Sequence, residues 1–250
     1  MYIKDIKPLI WRRLRIPGNI TFQQLHQVIQ AAFNWFDYHW YRFEFDRIVV
    51  TVPDEDCPPE ELYGEDIKEM DSGATTVDEL FKLHDKCEYV YDYGDSWCHD
   101  IVIEKRIKDT KNNAIPVCLA GARHRPPEDA GGVGGYEDFL RIIMDKDHPE
   151  RKEMLAWAEK DTNGRIFDPE YFDIKETNRR LEYALEDDAE HARELLFGDD
   201  LNGTISYGWN EIFIISVKKR YTMEHIGRLL YRLDEGCKVT IKAEPNKKYK

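Results

Sequence analysis

The first forty residues change from a strand pattern to a helix pattern. Apolar and polar side chains alternate over residues 2–6 and 9–16, which is typical of half-buried β-strands. From Thr21 onward, apolar side chains recur every three or four positions. Gln24 stands three positions after Thr21, so the two residues match a capping box. The pattern therefore predicts a helix over residues 21–34.

Segments rich in β-branched and aromatic residues follow this helix. Strands are predicted at residues 38–45, 48–52, 89–92, 97–105 and 115–119. The pair 89–92 and 97–105 surrounds Gly94-Asp95, a turn signal, and so predicts a hairpin. The acidic segment 53–73 predicts a surface excursion. Thr76 and Glu79 repeat the capping-box spacing and predict a short helix to about residue 86.

Helical spacing dominates the next part of the chain, at residues 136–145, 149–160 and 174–196. Beyond residue 197 the pattern changes again and predicts a strand or strand pair at 205–218, a helix at 222–233 and a strand at 237–243. We therefore expect an α+β fold over residues 1–197, with a mixed or antiparallel sheet, an N-terminal helix and a helical C-terminal half. Residues 198–250 are expected to form a small α/β appendage.

Charge limits the partners of the chain. Its net charge is −13, yet residues 198–250 carry ten Lys and Arg against seven Asp and Glu. An acidic main domain repels a polyanion, so we expect DNA to be a poor partner of residues 1–197. A role as a DNA-binding accessory protein stays open as an alternative, through Arg12, Arg13 and Arg15 or through the basic tail.

Length and hydropathy indicate the compartment. A chain of 250 residues can bury a core without a metal or a disulfide. No run reaches the roughly 20 apolar residues of a membrane span, and the first residues lack the pattern of a signal peptide. The five cysteines are odd in number and irregularly spaced. We therefore expect a cytoplasmic protein with reduced thiols and no membrane contact.

The predicted hairpin at 89–105 carries the first candidate site. Asp92, Asp95 and His99 lie within eight positions, and Trp97 and His99 share one face of an extended strand. Asp and His together ligate divalent metals, or act as a base with its orienting acid. Both aspartates also suit Asx hydrogen bonds in the turn, and His99 then serves as a partly buried polar residue.

Two histidines form a second candidate. His26 lies on the predicted first helix, and His39 follows it by thirteen positions. They can converge only through the tertiary fold, because no H-E-x-x-H spacing places two imidazoles on one helix face. A structural role for each histidine is the competing interpretation.

The Gly-rich segment 121–135 is the third candidate. A glycine loop before a helix can hold phosphate on its backbone amides. No Lys-Ser or Lys-Thr pair follows these glycines, and Glu128 and Asp129 would repel a phosphate. The segment therefore predicts a conformationally demanding loop. Nucleophilic catalysis has little support, since no serine lies in a G-x-S-x-G motif and Cys98 and His99 point to opposite strand faces.

The order of these motifs resembles the plasmid pRi ORF-three-like family. The matching residues are Ile10-Trp11-Arg12-Arg13, Leu25-His26-Gln27-Val28-Ile29-Gln30, Trp35 with His39, Tyr91 to His99, Pro126-Pro127-Glu128-Asp129 with Gly131-Gly132 and Gly135-Tyr136, and Phe167-Asp168 with Phe172. They span roughly residues 1–185. The resemblance implies an α+β domain associated with mobile genetic elements and no established reaction. Relatives often carry a cysteine where this chain has Arg125, so a cysteine-based site is not expected here.

We expect a binding or adaptor protein with a polar and aromatic pocket, whose partner is a small ligand or another protein. The pocket residues would be His26, Trp35, His39, Asp92, Asp95, Trp97, His99, Glu128 and Asp129. The alternative is a metal-dependent hydrolase or nuclease that uses His39, Asp92, Asp95, His99, Glu128 and Asp129. Spacing along the sequence assigns neither metal ligands nor a cofactor.

Overall fold

A computed structural model describes most of the chain. The described residues are 1–53, 64, 66–107, 115–162, 164–182 and 184–185, with the backbones of three strands between residues 203 and 222. Two compact units are present, Met1–Glu186 and Asp187–Lys250. The boundary predicted at residue 197 lies outside the described residues.

The first unit contains an eight-stranded mixed sheet. Its strands are β1 (Tyr2–Ile3), β2 (Trp11–Arg15), β3 (Tyr41–Glu44), β4 (Ile48–Thr51), β5 (Lys68–Asp71), β6 (Lys86–Tyr91), β7 (Trp97–Val102) and β8 (Val117–Ala122). Their order across the sheet is β5-β4-β3-β6-β7-β1-β2-β8. All neighbours run antiparallel except β4 and β5, which are parallel.

Five α-helices accompany this sheet in the described part of the first unit. They are α1 (Phe22–Phe33), α2 (Val77–Phe81), α3 (Gly132–Met144), α4 (Arg151–Ala158) and α5 (Ile174–Leu181). A 3-10 turn, Glu159–Thr162, follows α4 directly. The predicted α+β class, with its mixed sheet, is confirmed. Among the described residues no helix is long and apolar enough to cross a bilayer.

Helix α1 forms where the capping box predicted it. The Thr21 hydroxyl accepts from Gln24 N at 3.2 Å, and Gln24 Oε1 accepts from Thr21 N at 3.0 Å. Its apolar face lies against the sheet, where the Phe22 and Phe43 rings are 4.9 Å apart and edge-on. The helix ends at Asn34, whose φ of 64° lies in the left-handed region.

The hairpin β6–β7 is also formed as predicted, and its faces follow strand alternation. Tyr89 pairs with His99, and Tyr91 with Trp97, on the buried face. Cys98 and Asp100 alternate with these residues and are half-buried. Trp97 and His99 therefore share one face, and that face is the core side of the sheet.

At the edge strand β8, one side chain pairs with the backbone of the sheet. Asn178 of α5 accepts from Cys118 N at 2.7 Å and donates to Cys118 O at 3.1 Å. The amide thereby replaces part of a ninth strand, because it pairs with both backbone groups of one β8 residue.

The chain begins with strands β1 and β2, as its alternation predicts, and the N-terminal helix follows as the third element. Several other boundaries differ from the predicted ones. Helix α2 ends at Phe81 rather than near residue 86, since Lys86 already pairs with Val102 of β7. Thr76 precedes α2 as its N-cap, but its side chain makes no capping hydrogen bond. Part of the predicted surface excursion, residues 68–71, is strand β5.

The second unit contains a three-stranded antiparallel sheet. Its strands are β9 (Gly203–Tyr207), β10 (Ile212–Ser216) and β11 (Arg220–Thr222), with β10 in the centre. The first two strands agree with the strand pair predicted at 205–218. The helix predicted at 222–233 lies outside the described residues except for its first position, and the strand predicted at 237–243 lies outside them entirely.

The capping box gives a first stability prediction. Thr21→Ala removes the hydroxyl that accepts from Gln24 N, and we expect the free energy of unfolding to fall by about 1 kcal/mol. Thr21→Ser retains the hydroxyl and should stay within about 0.5 kcal/mol of the parent. Urea denaturation of the three proteins measures both values. Equal losses in the two variants would show that the hydroxyl is not the stabilising group.

Candidate functional site

A fully buried ion pair holds the Pro-Pro-Glu-Asp segment in place. Arg125 donates to Asp161 Oδ1 at 2.5 Å, and neither side chain has exposed surface. The other guanidinium donors reach Asn34 O and Pro126 O. The guanidinium also lies 4.5 Å from the centroid of the Trp35 ring. The segment is thus tied both to the end of α1 and to the 3-10 turn after α4.

Glu128 lies next to this pair. Its backbone N–H donates to Asp161 Oδ1 at 3.0 Å, and its Oε1 accepts from Phe36 N at 2.6 Å. The side chain is fully buried, and Oε2 has no hydrogen-bond partner among the described residues. Burial raises the pKa of Glu128 to about 7, against a smaller opposing effect of Arg125. A buried carboxyl with a free oxygen marks this side of the loop as a functional candidate.

Two glycines of the loop lie directly against the hairpin turn. Gly131 N donates to Asp95 Oδ2 at 3.0 Å. Gly132, with a φ of 69°, lies so close to the hairpin turn that a Cβ there would come within 2.7 Å of Asp95 O. Only glycine fits this approach. The hairpin turn therefore docks directly on the loop that carries Asp129.

Asp92 has two different roles in the turn. Its Oδ1 accepts from Gly94 N at 2.9 Å and from Asp95 N at 3.3 Å, which is the Asx arrangement predicted from the sequence. Its Oδ2 lies 3.4 Å from His39 Nε2. Turn formation and a polar site thus use separate oxygens of one carboxylate.

The docked turn brings together three candidate ligands. His39 Nε2 lies 3.4 Å from Asp92 Oδ2 and 3.2 Å from Asp129 Oδ1, and the three ligand atoms are all within 4.8 Å of one another. His39 Nε2 is inaccessible to solvent and makes no hydrogen bond within the described part of the chain. The Asp92 side chain is buried, whereas about half of the Asp129 side chain is exposed. Asp129 is therefore the exposed member of the cluster.

Two further groups contact the exposed carboxylate of Asp129. The Tyr38 hydroxyl donates to Asp129 Oδ2 at 2.8 Å. Lys160 Nζ lies 3.6 Å from the same oxygen and 5.0 Å from the centroid of the Trp157 ring. These contacts leave Asp129 Oδ1 facing His39.

His26 belongs to a separate buried network. Its Nδ1 lies 2.7 Å from the Tyr89 hydroxyl, and its Nε2 lies 2.5 Å from Asp37 Oδ1. Gln30 donates to the Tyr89 hydroxyl and accepts from Asp37 N, so the four residues close a loop. Because Gln30 donates to the Tyr89 hydroxyl, that hydroxyl donates to Nδ1 of His26. The network therefore assigns the ring proton to Nε2, which faces Asp37 Oδ1. The two histidines proposed as a pair are not brought together as ligands.

Trp35, Trp97 and His99 lie in the core. At most 5% of each residue is exposed, and the two indole rings are 5.8 Å apart. His99 Nδ1 lies 2.8 Å from Trp97 O, and burial lowers the pKa of His99 to about 4. These three side chains pack the sheet, and Asp95 holds the loop. Of the nine predicted residues, the structure gathers His39, Asp92 and Asp129, with Glu128 adjacent in sequence to Asp129.

Four residues of this region were missed in the sequence: Tyr38, Arg125 as a buried anchor, Lys160 and Asp161. Asp161 stands at the end of a predicted helix and shows no motif. Arg125 stands among charged neighbours, between Arg123 and Glu128, so its sequence setting gives no sign that it is buried.

The fold and the cluster define an α+β protein with a His and two carboxylates at the end of a buried hairpin. The family model described as "Plasmid pRiA4b ORF-3-like protein" matches residues 1–176. This chain belongs to that family, as the motif order predicted.

Two similar proteins share this domain. The "Uncharacterized protein y4hQ" of Sinorhizobium fredii is 32% identical over 156 residues, which are 62% of this chain and 77% of that protein. The crystal structure of the "Protein of Unknown Function MM3350" from Methanosarcina mazei Go1 is 34% identical, with a TM-score of 0.59. That match covers 70% of this chain and 92% of the other.

The buried imidazole of His99 gives a pH prediction. Unfolded, its pKa is near 6.5; folded, it is about 4. Between these values the unfolded chain binds a proton that the folded chain does not. Stability should therefore fall as pH falls from 6.5 to 4, by up to about 3 kcal/mol from this group. Urea unfolding at several pH values measures the slope, and His99→Leu should flatten it. An unchanged slope in the variant would contradict the assignment.

Proposed function

We propose that this protein binds a divalent metal ion through His39, Asp92 and Asp129. The observation that carries the proposal is the spacing of the ligand atoms. His39 Nε2 stands 3.4 Å and 3.2 Å from the two carboxylate oxygens. Two atoms that are each about 2.1 Å from a shared ion stand about 3.0–3.4 Å apart for coordination angles of about 90–110°. Both distances fall in that interval.

Hydrogen bonding supports the same interpretation. His39 Nε2 is close to two carboxylate oxygens, yet neither contact has the geometry of a hydrogen bond. Buried polar atoms normally have a partner, and an N–H would be directed at one of the two oxygens. A nitrogen lone pair directed between them is repelled by both, unless a cation lies in the space. A protonated His39 that pairs with both carboxylates is the competing account.

The ligand types narrow the choice of ion. One imidazole and two carboxylates suit zinc, manganese or iron better than the soft metals that select thiolates. The cysteines described in the first unit are Cys87, Cys98 and Cys118, which are free thiols outside this cluster. Hydrogen bonds hold both carboxylates in place. Asp92 is fixed by its Asx turn, and Asp129 accepts from the Tyr38 hydroxyl.

Metal titration tests this proposal. After dialysis against a chelator, we expect Zn²⁺ or Mn²⁺ to bind in calorimetry with one ion per chain and to raise the melting temperature. His39→Gln and Asp129→Asn should each weaken binding at least about tenfold. His148→Gln and Asp138→Asn are matched controls outside the cluster and should bind like the parent.

Two results would contradict metal binding at this site. One is the absence of both heat and thermal stabilisation with either ion. The other is equal affinity in the parent, His39→Gln and Asp129→Asn, which would place any bound ion elsewhere and favour the charge-pairing account.

Metal-dependent hydrolysis is a second candidate function, and the half-exposed carboxylate of Asp129 favours it. An ion held by three protein ligands retains positions for water and substrate, and it lowers the pKa of the bound water. We expect p-nitrophenyl phosphate or p-nitrophenyl acetate to be hydrolysed faster with metal than with chelator, and His39→Gln to abolish the difference. Equal rates with metal and chelator would leave a metal-binding protein without this activity.

The cellular setting is proposed on different grounds. The family description names a plasmid, and we extend that association with mobile elements to this chain. The acidic balance supports a small ligand or a protein partner over DNA, and the cysteine pattern supports a cytoplasmic location.

A further inference from the structure

We propose that a small oxyanion, carrying phosphate or carboxylate oxygens, is the second ligand of this site and is bound jointly by the metal ion and Lys160. This inference rests on the metal binding proposed above and names the class of molecule that the site recognises. Its basis is the placement of one lysine beside the half-exposed carboxylate of Asp129.

Lys160 is held in position by its surroundings. It lies in the 3-10 turn Glu159–Thr162, next to Asp161, whose side chain is buried against Arg125. Its ammonium group is 5.0 Å from the centroid of the Trp157 ring, and about a quarter of the side chain is exposed. An ammonium over an aromatic ring is stabilised by a cation–π interaction. The charge is therefore fixed at the rim of the cluster.

The ammonium group has donors to spare. Its contact with Asp129 Oδ2 is 3.6 Å, longer than a charge-assisted hydrogen bond, and the Tyr38 hydroxyl already donates to the same oxygen. Within the described residues Lys160 Nζ has no closer acceptor. A lysine ammonium can donate three hydrogen bonds, so this group can donate to an added oxygen ligand.

Metal binding changes the balance of charge around this lysine. Without the ion, the Asp129 carboxylate faces the ammonium group. With the ion, Asp92 and Asp129 together offset its two positive charges, and the field of Asp129 at Lys160 is largely cancelled. The ammonium charge of Lys160 is then left without its counterion, and an anion that contacts both the ion and the ammonium group supplies one. Phosphate and carboxylate groups bind hard cations and lysine in this way.

The surrounding charges limit the size of the anion. Asp95 lies beside the cluster, since it accepts from Gly131 N, and the net charge of residues 1–197 is negative. A nucleic-acid strand would bring many phosphates against this acidic surface, at a cost that grows with each one. A single phosphate or carboxylate group brings far less negative charge to this surface. The site therefore favours a small anion over a polyanion.

Phosphate titration of the Mn²⁺-loaded protein tests the inference. We expect inorganic phosphate to displace water from the bound Mn²⁺, seen as a lower water-proton relaxation rate, and to bind in calorimetry. Lys160→Met keeps the apolar packing on Trp157 and removes the charge. It should weaken phosphate binding about tenfold while Mn²⁺ binding stays equal or tightens, because a neighbouring positive charge is gone. Lys160→Arg should largely restore phosphate affinity, and Lys152→Met is the exposed-lysine control.

The possible outcomes distinguish the oxyanion inference from the metal binding on which it rests. Failure of Mn²⁺ to bind would contradict both proposals. Binding of Mn²⁺ without an effect of phosphate or acetate would overturn the oxyanion inference and leave the metal site. Equal phosphate affinity in the parent and Lys160→Met would also overturn it, as would phosphate binding in the absence of metal. Parallel titration with acetate shows whether phosphate or carboxylate is the preferred group.

Discussion

The candidate site depends on the buried ion pair between Arg125 and Asp161. Two charges without exposed surface are costly to desolvate, and their hydrogen bonds offset that cost. Asp161 Oδ1 accepts from both Arg125 and Glu128 N, whereas Oδ2 has no hydrogen-bond partner among the described residues. The guanidinium also donates to Asn34 O and Pro126 O. These bonds tie the loop between β8 and α3 to the end of α1 and to the 3-10 turn after α4. Without them Asp129 would not be held beside His39.

The fold was largely predictable because its signals are local. The capping box at Thr21 and Gln24, and the alternation through the β6–β7 hairpin, determine an amphipathic helix and a half-buried strand pair from neighbouring residues alone. Strand β5 was missed because it pairs in parallel with β4, a contact that depends on tertiary structure rather than on a turn signal. The early end of α2 has a similar cause, since pairing of Lys86 with β7 overrides helical spacing.

The candidate site was predictable only as a set of residue types. Asp92 and His39 were recognised as polar residues near turns, but their approach to Asp129 follows from the close contact of Gly132 with the hairpin turn. The aromatic residues were assigned to a pocket because Trp and His often line one. In the structure Trp97 and His99 point to the core, since strand alternation places them on the same side as Tyr89 and Tyr91.

Backbone conformation around the cluster has a further consequence. Asn34, Asp37, Asp92 and Asp129 all have φ between 58° and 64°, a region in which glycine is the least strained residue. At Asp129 a glycine would relieve the backbone strain, and it would also remove a carboxylate of the cluster. Asp129 therefore keeps a candidate ligand at a position where the backbone favours glycine, as strained residues at functional sites do.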